Sequence, residues 1–208
     1  MTFTPLPDPR PGDPPWPHAT WPVPDGTALA RGAVELRPSS AADGPALFAA
    51  LDDDEVWAHV RGRPATAEDM TASLNGAPSV GRFPWTVRRD GMVVGTTSYL
   101  EVSAVDARLE IGFTLYARDV WGTEVNPACK FLLLDWAFTQ GFGRVQLKTD
   151  IRNSRSQLAI ARLGARHEGV LGRYQRRQDG SVRDTVLFAV LAEDWPGVRA
   201  GLLARLGG

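Results

Sequence analysis

Hydrophobic and polar positions change period several times along the chain, and each change marks an element. The longest apolar stretch runs from Trp121 to Phe138, W-G-T-E-V-N-P-A-C-K-F-L-L-L-D-W-A-F. Phe131, Leu132, Leu133, Leu134, Trp136, Ala137 and Phe138 leave hardly any polar face, the pattern of a helix buried almost all round. Asn126 is a good N-cap, and Pro127 suits the first helical position, where its missing N–H costs nothing. Gly141 predicts the stop. Upstream, Leu109 to Leu115 reads as a strand, so strand, short loop and buried central helix form one unit. Such a helix start presents free amides and the positive end of the helix dipole, a ready anion site; an interior helix with a capped start is the plainer reading.

Around this unit the pattern predicts a first strand at Val34 to Arg37, closed by Pro38, and a helix through Leu47, Phe48 and Leu51 capped by Ser39 or Asp43. Asp52 to Glu55 is an acidic run, read as a solvated turn or as a receiver for a cationic substrate. Thr66 to Asp69 resembles a capping box opening a short helix that ends at Asn75-Gly76. Phe83 to Arg88 and Met92 to Glu101 alternate about Asp90-Gly91, a hairpin turn. Past the central helix, Arg144 to Asp150 alternates cleanly, Asn153 caps a helix from Ser154 to Leu163, and Arg166 to Tyr174 and Thr185 to Leu191 form a last hairpin. A terminal helix starts at Asp194-Trp195-Pro196. Strands first, then βαβα, then a hairpin predict an α/β (α+β three-layer) domain with a mixed, mostly antiparallel sheet and helices on both faces.

Composition narrows the function classes. A chain of 208 residues fits one domain with a tail. Nine of the 16 prolines fall in residues 1–30, so this stretch is read as an extended arm, with Trp16 and Trp21 pinning it to a domain spanning 31–208. A net charge of −1 with scattered charges gives no footprint for nucleic acid or a membrane surface. Cys129 is the only cysteine, and with three histidines it makes a zinc site unexpected; no metal is called for. No signal-peptide pattern and no apolar run of about 20 residues occurs, so a soluble, cytoplasmic protein is the expectation.

Five motifs in order are more specific than any alone: L-E-I-G-F-T-L (Leu109 to Leu115), the Trp121-Gly122 loop, R-N-S-R-S (Arg152 to Ser156), L-G-A-R-H-E-G-V-L (Leu163 to Leu171) and R-D-T-V-L-F-A-V-L (Arg183 to Leu191). Together they resemble the GNAT superfamily of acyl-CoA N-acyltransferases, and within it the RimJ/RimL branch that acetylates N-terminal amines of ribosomal proteins. The resemblance covers about residues 31–195. It implies acetyl-CoA as acyl donor, with the backbone of Phe113, Thr114 and Leu115 pairing with the pantetheine arm. Amides of the loop and helix start, Trp121, Gly122, Thr123, Val125 and Asn126, would hold the pyrophosphate without a metal. Asn153 and Ser156 match the family's N-x-x-S, where the Asn contacts pantetheine and the hydroxyl lies near the thioester sulfur. A helix cap followed by a first-turn serine is their structural alternative.

Two positions depart from the family pattern. Of its pyrophosphate motif, Trp121 is usual in the RimJ/RimL-like branch. Glu124, however, stands where glycine normally lets the backbone approach phosphate, and Asn126 occupies the third motif position. Ile160 replaces a tyrosine that in many members protonates the leaving thiolate, leaving Ser156 or a water for that task. Glu110 matches a position often used as general base; a strand carboxylate paired to a neighbouring Arg is the equal alternative, and Asp150 and Asp184 are further candidates. Cys129, inside the buried helix, is read as structural. The expected reaction is direct transfer of acetyl to a primary amine, first a protein N-terminal α-amine such as that of a ribosomal protein. A small-molecule amine and a non-catalytic acyl-CoA-binding domain are the alternatives. The oligomeric state is left open, a homodimer among the options.

Overall fold

Segments of period two and period 3.6 become eight strands and six α-helices in the computed structural model, which describes residues 3–16 and 18–207. The strands are β1 (Leu29–Arg31), β2 (Val34–Pro38), β3 (Arg82–Arg89), β4 (Met92–Ser103), β5 (Arg108–Tyr116), β6 (Arg144–Asp150), β7 (Arg166–Arg176) and β8 (Val182–Leu191). The helices are α1 (Gly44–Leu51), α2 (Asp54–Trp57), α3 (Ala67–Gly76), α4 (Val125–Thr139), α5 (Ser154–Ala161) and α6 (Trp195–Arg205). One sheet holds every strand in the order β1-β2-β3-β4-β5-β6-β8-β7, antiparallel throughout except for the parallel pair β5/β6. That pair is where the chain crosses over through α4. A core around α4, α6 and the arm covers one face; a second cluster of Leu47, Leu51, Trp57, Met70 and Leu74 from α1–α3 covers part of the other.

Several starts and stops follow their local chemistry. Thr66 and Asp69 form the capping box of α3. Asp90 (φ 49°) and Gly91 (φ 81°) make the tight turn of the β3–β4 hairpin. Gly141 (φ 87°) ends α4, as its position predicts. Two expectations are corrected. The α1 segment is preceded by a short 3-10 turn, Ala41–Asp43, entered at Ser40 instead of Ser39, and Asp43 stands at the N-cap position of α1 but makes no side-chain capping bond to it. Asn126 is not the N-cap of α4: the helix begins at Val125, whose amide is taken by Thr123 Oγ1 at 3.3 Å, and Asn126 and Pro127 are its second and third residues. Proline fits there because no amide in the first turn has an intrahelical acceptor to lose. Strand β1 has no counterpart in the sequence pattern, since three residues carry no detectable period.

The proline-rich arm lies on the α4 face. The amides of Ala19 and Thr20 donate to the carbonyls of Ala104 and Gln140 at 2.9 and 2.8 Å. Trp16 Nε1 donates to the Gly141 carbonyl at 2.9 Å. The Trp21 ring meets Phe83 edge-on at 4.8 Å and neighbours Tyr99, Trp136 and Phe142.

What positions the site is a defect in β5. Thr96 pairs with Leu115 and Ser98 with Gly112, so the single Thr97 faces both Phe113 and Thr114. This is a β-bulge, with Phe113 at φ 45°. On its other side β5 pairs with β6 only from Arg108 to Glu110. Beyond Glu110 the strands part, while β6 stays paired to β8 along its whole length. A wedge opens in the middle of the sheet.

Candidate active site

A cavity of about 790 Å³ fills the wedge. One wall is the unpaired side of β5 from Glu110 to Tyr116; the start of α4 supplies another through Trp121, Gly122, Asn126 and Lys130. β6 and α5 line the far side with Lys148, Asp150, Asn153, Ser156 and Ile160, and the segment 58–62 forms a roof. That roof is tied to the β7–β8 turn: Arg61 donates to the Arg176 carbonyl at 3.2 Å, and the Gly62 amide to Gln178 Oε1 at 3.3 Å.

Of the residues the sequence singles out, Glu110, Phe113, Thr114, Leu115, Trp121, Gly122, Asn126, Asn153 and Ser156 come together around this one space. Thr123 and Val125 do not line it: Val125 is fully buried in the core, and Thr123 turns its hydroxyl to the Val120 carbonyl. Asp184 is also elsewhere, accepting from the Arg173 amide at 2.7 Å. Asp52 and Asp54 are engaged by Arg63, and Glu55 by Arg118, so the acidic run does not face the cavity.

The helix start is a polar cradle. The amides of Gly122, Glu124 and Asn126 have no partner among the described residues. Glu124 turns away toward Arg89, at 2.9 Å, and its carboxylate does not line the cavity. Trp121, its Nε1 held by the Tyr116 carbonyl at 2.9 Å, is stacked by Arg155 at 3.6 Å, with Arg118 near the same ring at 5.3 Å. Asn153 Oδ1 accepts the Ser156 amide at 2.9 Å, so the helix-cap role of Asn153 is real whatever else it does. Free amides beside an unpaired strand edge suit a ligand that carries phosphates at one end and amide groups along its length.

The other half of the cavity is charged. Glu110 is buried, and its partner is Lys148 at 3.0 Å, not an arginine. Burial raises the Glu110 carboxyl above 4.5, and the ammonium only partly pulls it back. Burial would lower Lys148, but Glu110, Glu101 and Tyr174 outweigh it and hold the ammonium above 10.5. Asp150 is gripped by Arg177 through bonds of 2.6 and 2.8 Å. His59, in the roof, is kept below 6.5 by burial, with Arg155, Arg177 and Arg183 adding to the fall against the pull of Asp150. Cys129 is completely buried and its thiol is pushed up to about 12 by burial, which rules it out as a nucleophile near neutral pH.

Sequence reasoning missed Lys130. It is 5% exposed, donates to Thr114 Oγ1 at 2.9 Å, and has no carboxylate partner among the described residues. Thr114 is linked in turn to Thr97 at 2.8 Å. Burial lowers Lys130 to about 8, against the opposing influence of Cys129 and Glu110. The signal was present, the one lysine of a mostly apolar helix, but periodicity does not say what it faces.

A mixed sheet wedged open at its one parallel pair, with free amides at the following helix start, is the architecture of an acyl-CoA-dependent transferase. The family model for the acetyltransferase (GNAT) domain matches residues 33–166, and the chain belongs to this family of N-acetyltransferases. A solved structure described as an acetyltransferase, from T. thermophilus, is 38% identical, covering 90% of this chain and 100% of its own, with TM-score 0.81. RimJ of Mycobacterium smegmatis, solved with CoA-disulfide, is 25% identical over 87% of this chain and 93% of its own, with TM-score 0.74. The ribosomal-protein-S5-alanine acetyltransferase of Vibrio fischeri shares the fold at 18% identity, covering 81% and 98%, with TM-score 0.69. No functionally curated protein matches the sequence.

Proposed function

We propose that the wedge between β5 and β6 binds acetyl-CoA and that the protein transfers its acetyl group directly to a primary α-amine. The observation that carries this reading is the parting of β5 from β6 immediately after Glu110, which sets a buried carboxylate at the mouth of an unpaired strand edge. Acetyl-CoA, when bound, supplies an activated thioester. The residues of this chain do the rest. The edge of Phe113, Thr114 and Leu115 offers backbone groups to the pantetheine amides, and the free amides of Gly122 and Asn126, which line the cavity, receive phosphate. Lys130 adds a buried positive charge behind Thr114.

An attacking ammonium must lose a proton. Glu110 takes it, directly or through one water, and burial makes this carboxylate a stronger base than an exposed one. Lys148 orients Glu110 from the other side. Ser156, at the cavity wall, is the group placed to return a proton to the departing sulfur, because Ile160 has none to give. An α-amine, of ordinary pKa about 8, needs less help than a lysine side chain at about 10.4. The likeness to RimJ and the S5 alanine acetyltransferase favours a protein N-terminus as acceptor. A cationic small amine loses its support, since Asp52, Asp54 and Glu55 are spent on Arg63 and Arg118.

The test is thiol release from acetyl-CoA against a panel of free N-terminal peptides, amino acids and polyamines. The peptide arm should be the productive one. Glu110→Gln should lower kcat roughly a hundredfold or more while acetyl-CoA still binds. In the wild type, kcat/KM should fall with acidification through a pKa above 4.5, because the carboxylate form is the active one. Binding of acetyl-CoA without release from any acceptor would leave the non-catalytic reading standing.

A further inference from the structure

Strand register puts the acceptor half of the cavity on one face of the sheet. Glu110 is opposite Gln146, Lys148 is opposite Leu187, and Asp150 is opposite Thr185, so Glu110, Lys148, Asp150, Thr185 and, two residues on, Arg183 all project from the same side. This is the side of α1–α3, away from α4. The two acids on it are already neutralised: Glu110 by Lys148 and Asp150 by Arg177. Arg183 is different. It lines the cavity half-buried, its Nε is held by Thr185 Oγ1 at 3.0 Å, and it has no carboxylate partner among the described residues. The Thr185 bond fixes the plane of the guanidinium and leaves both terminal nitrogens for something else. Arg61 and Arg176 add positive charge around the same mouth.

A guanidinium held in place with its fork empty is built to receive a planar anion through two parallel hydrogen bonds. Nothing among the described residues fills it. We infer that Arg183 binds a carboxylate carried by the acceptor, so that the amine acetylated here belongs to a molecule with a carboxylate close by. The shared chemistry has two sources: the α-carboxylate of a free amino acid, or the acidic side chain of an Asp or Glu at a peptide's N-terminus. The proposal rests on the transferase reading above. It adds that the acceptor's anion docks on Arg183 while its amine meets Glu110, two points that together fix orientation in the site.

Matched acceptors test it with full-length protein and acetyl-CoA. L-alanine is compared with L-alaninamide, and an N-terminal Asp peptide with its Asn counterpart. The alaninamide amine is the less basic of its pair, so chemistry alone favours the amide there. We expect the acid of at least one pair to have the higher kcat/KM by roughly ten- to a hundredfold. A preference seen only in the first pair assigns the carboxylate to the α-carbon; one seen only in the second assigns it to the first side chain. Arg183→Met should collapse the ratio toward one, Arg183→Lys should restore part of it, and acetyl-CoA affinity by titration should be kept in both as evidence of folding. Equal rates within both wild-type pairs, or a preference that survives Arg183→Met, would overturn the assignment while leaving acetyl transfer intact. No thiol release from any acceptor would overturn the transferase reading, and this inference with it.

Discussion

A buried lysine with no carboxylate beside it is costly unless a ligand completes it. Lys130 is such a residue, held near 8 instead of 10.5. The sign follows from proton counting: between pH 8 and 10.5 the unfolded chain keeps the proton on this lysine and the folded chain does not. Stability therefore rises with pH across that window, and the burial penalty is fully present below it. Lys130→Met should be more stable than wild type at pH 7, by an amount on the order of 3 kcal/mol that shrinks toward pH 10. Urea titrations at the two pH values measure this; parallel curves would show that the lysine is paired. Its loss should also weaken acetyl-CoA binding roughly tenfold at pH 7. The wild type alone should lose affinity as pH climbs through 8. Glu124 presents the opposite case. A carboxylate about 4 Å from phosphate would cost about 4 kcal/mol at an effective dielectric near 20, but this one turns to Arg89. Glu124→Gln should change acetyl-CoA affinity only a few-fold by isothermal titration, and a hundredfold gain would mean that the side chain swings into the site.

At the scale of the element, strand β5 is organised by its bulge and by two glycines where backbone and side chains come close. A Cβ on Gly112 would stand 2.6 Å from Glu110 Oε1 and 2.8 Å from Leu100 Cδ1; one on Gly95 of β4 would collide with the Leu115 carbonyl. Leu100 and Glu110 are side-chain ends that can move, whereas the Leu115 carbonyl is backbone on the cavity-lining strand. Gly112→Ala should therefore fold, push the Glu110 carboxylate off its Lys148 contact, and lower kcat at least tenfold with acetyl-CoA affinity nearly kept. Gly95→Ala should instead disturb the β4–β5 pairing and reduce coenzyme affinity and stability together. Steady-state kinetics beside titration separates the two patterns. If both glycines gave the same one, the bulge would not be the device that aims Glu110.

At the scale of the molecule, the last part of the proline-rich arm, through Ala19, Trp21 and Val23, joins the core that backs α4. Trp21 fills a space among Phe83, Tyr99, Trp136 and Phe142, and Tyr99 ties that cluster to α4 by donating to the Leu133 carbonyl at 2.7 Å. Trp16 is 55% exposed and is held by one hydrogen bond and a contact over Gly143. Trp21→Ala should cost about 2–4 kcal/mol in chemical denaturation, and Trp16→Ala well under half of that. Equal small losses from both would reduce the arm to a surface appendage.

The amino-acid sequence determined the longer elements, because period two, period 3.6 and the turn residues are local properties that each segment carries with it; the short β1, and α2 within the acidic run read as a turn, came only with the fold. The Asp90-Gly91 turn, the Thr66 capping box and the mostly apolar α4 are legible for that reason. The motifs from Leu109 to Leu191 carried the family likewise. Tertiary structure alone decided which charges meet. Glu110 finds Lys148 across the parallel strand pair, from the far side of the α4 crossover, and Asp150 finds Arg177 in the turn between β7 and β8. Lys130 and Arg183 are left without an acid among the described residues. The reason is physical: hydrophobic burial is read position by position, whereas the partner of a charge depends on register, on where β5 bulges and on where β5 and β6 part. None of these is a property of any one segment.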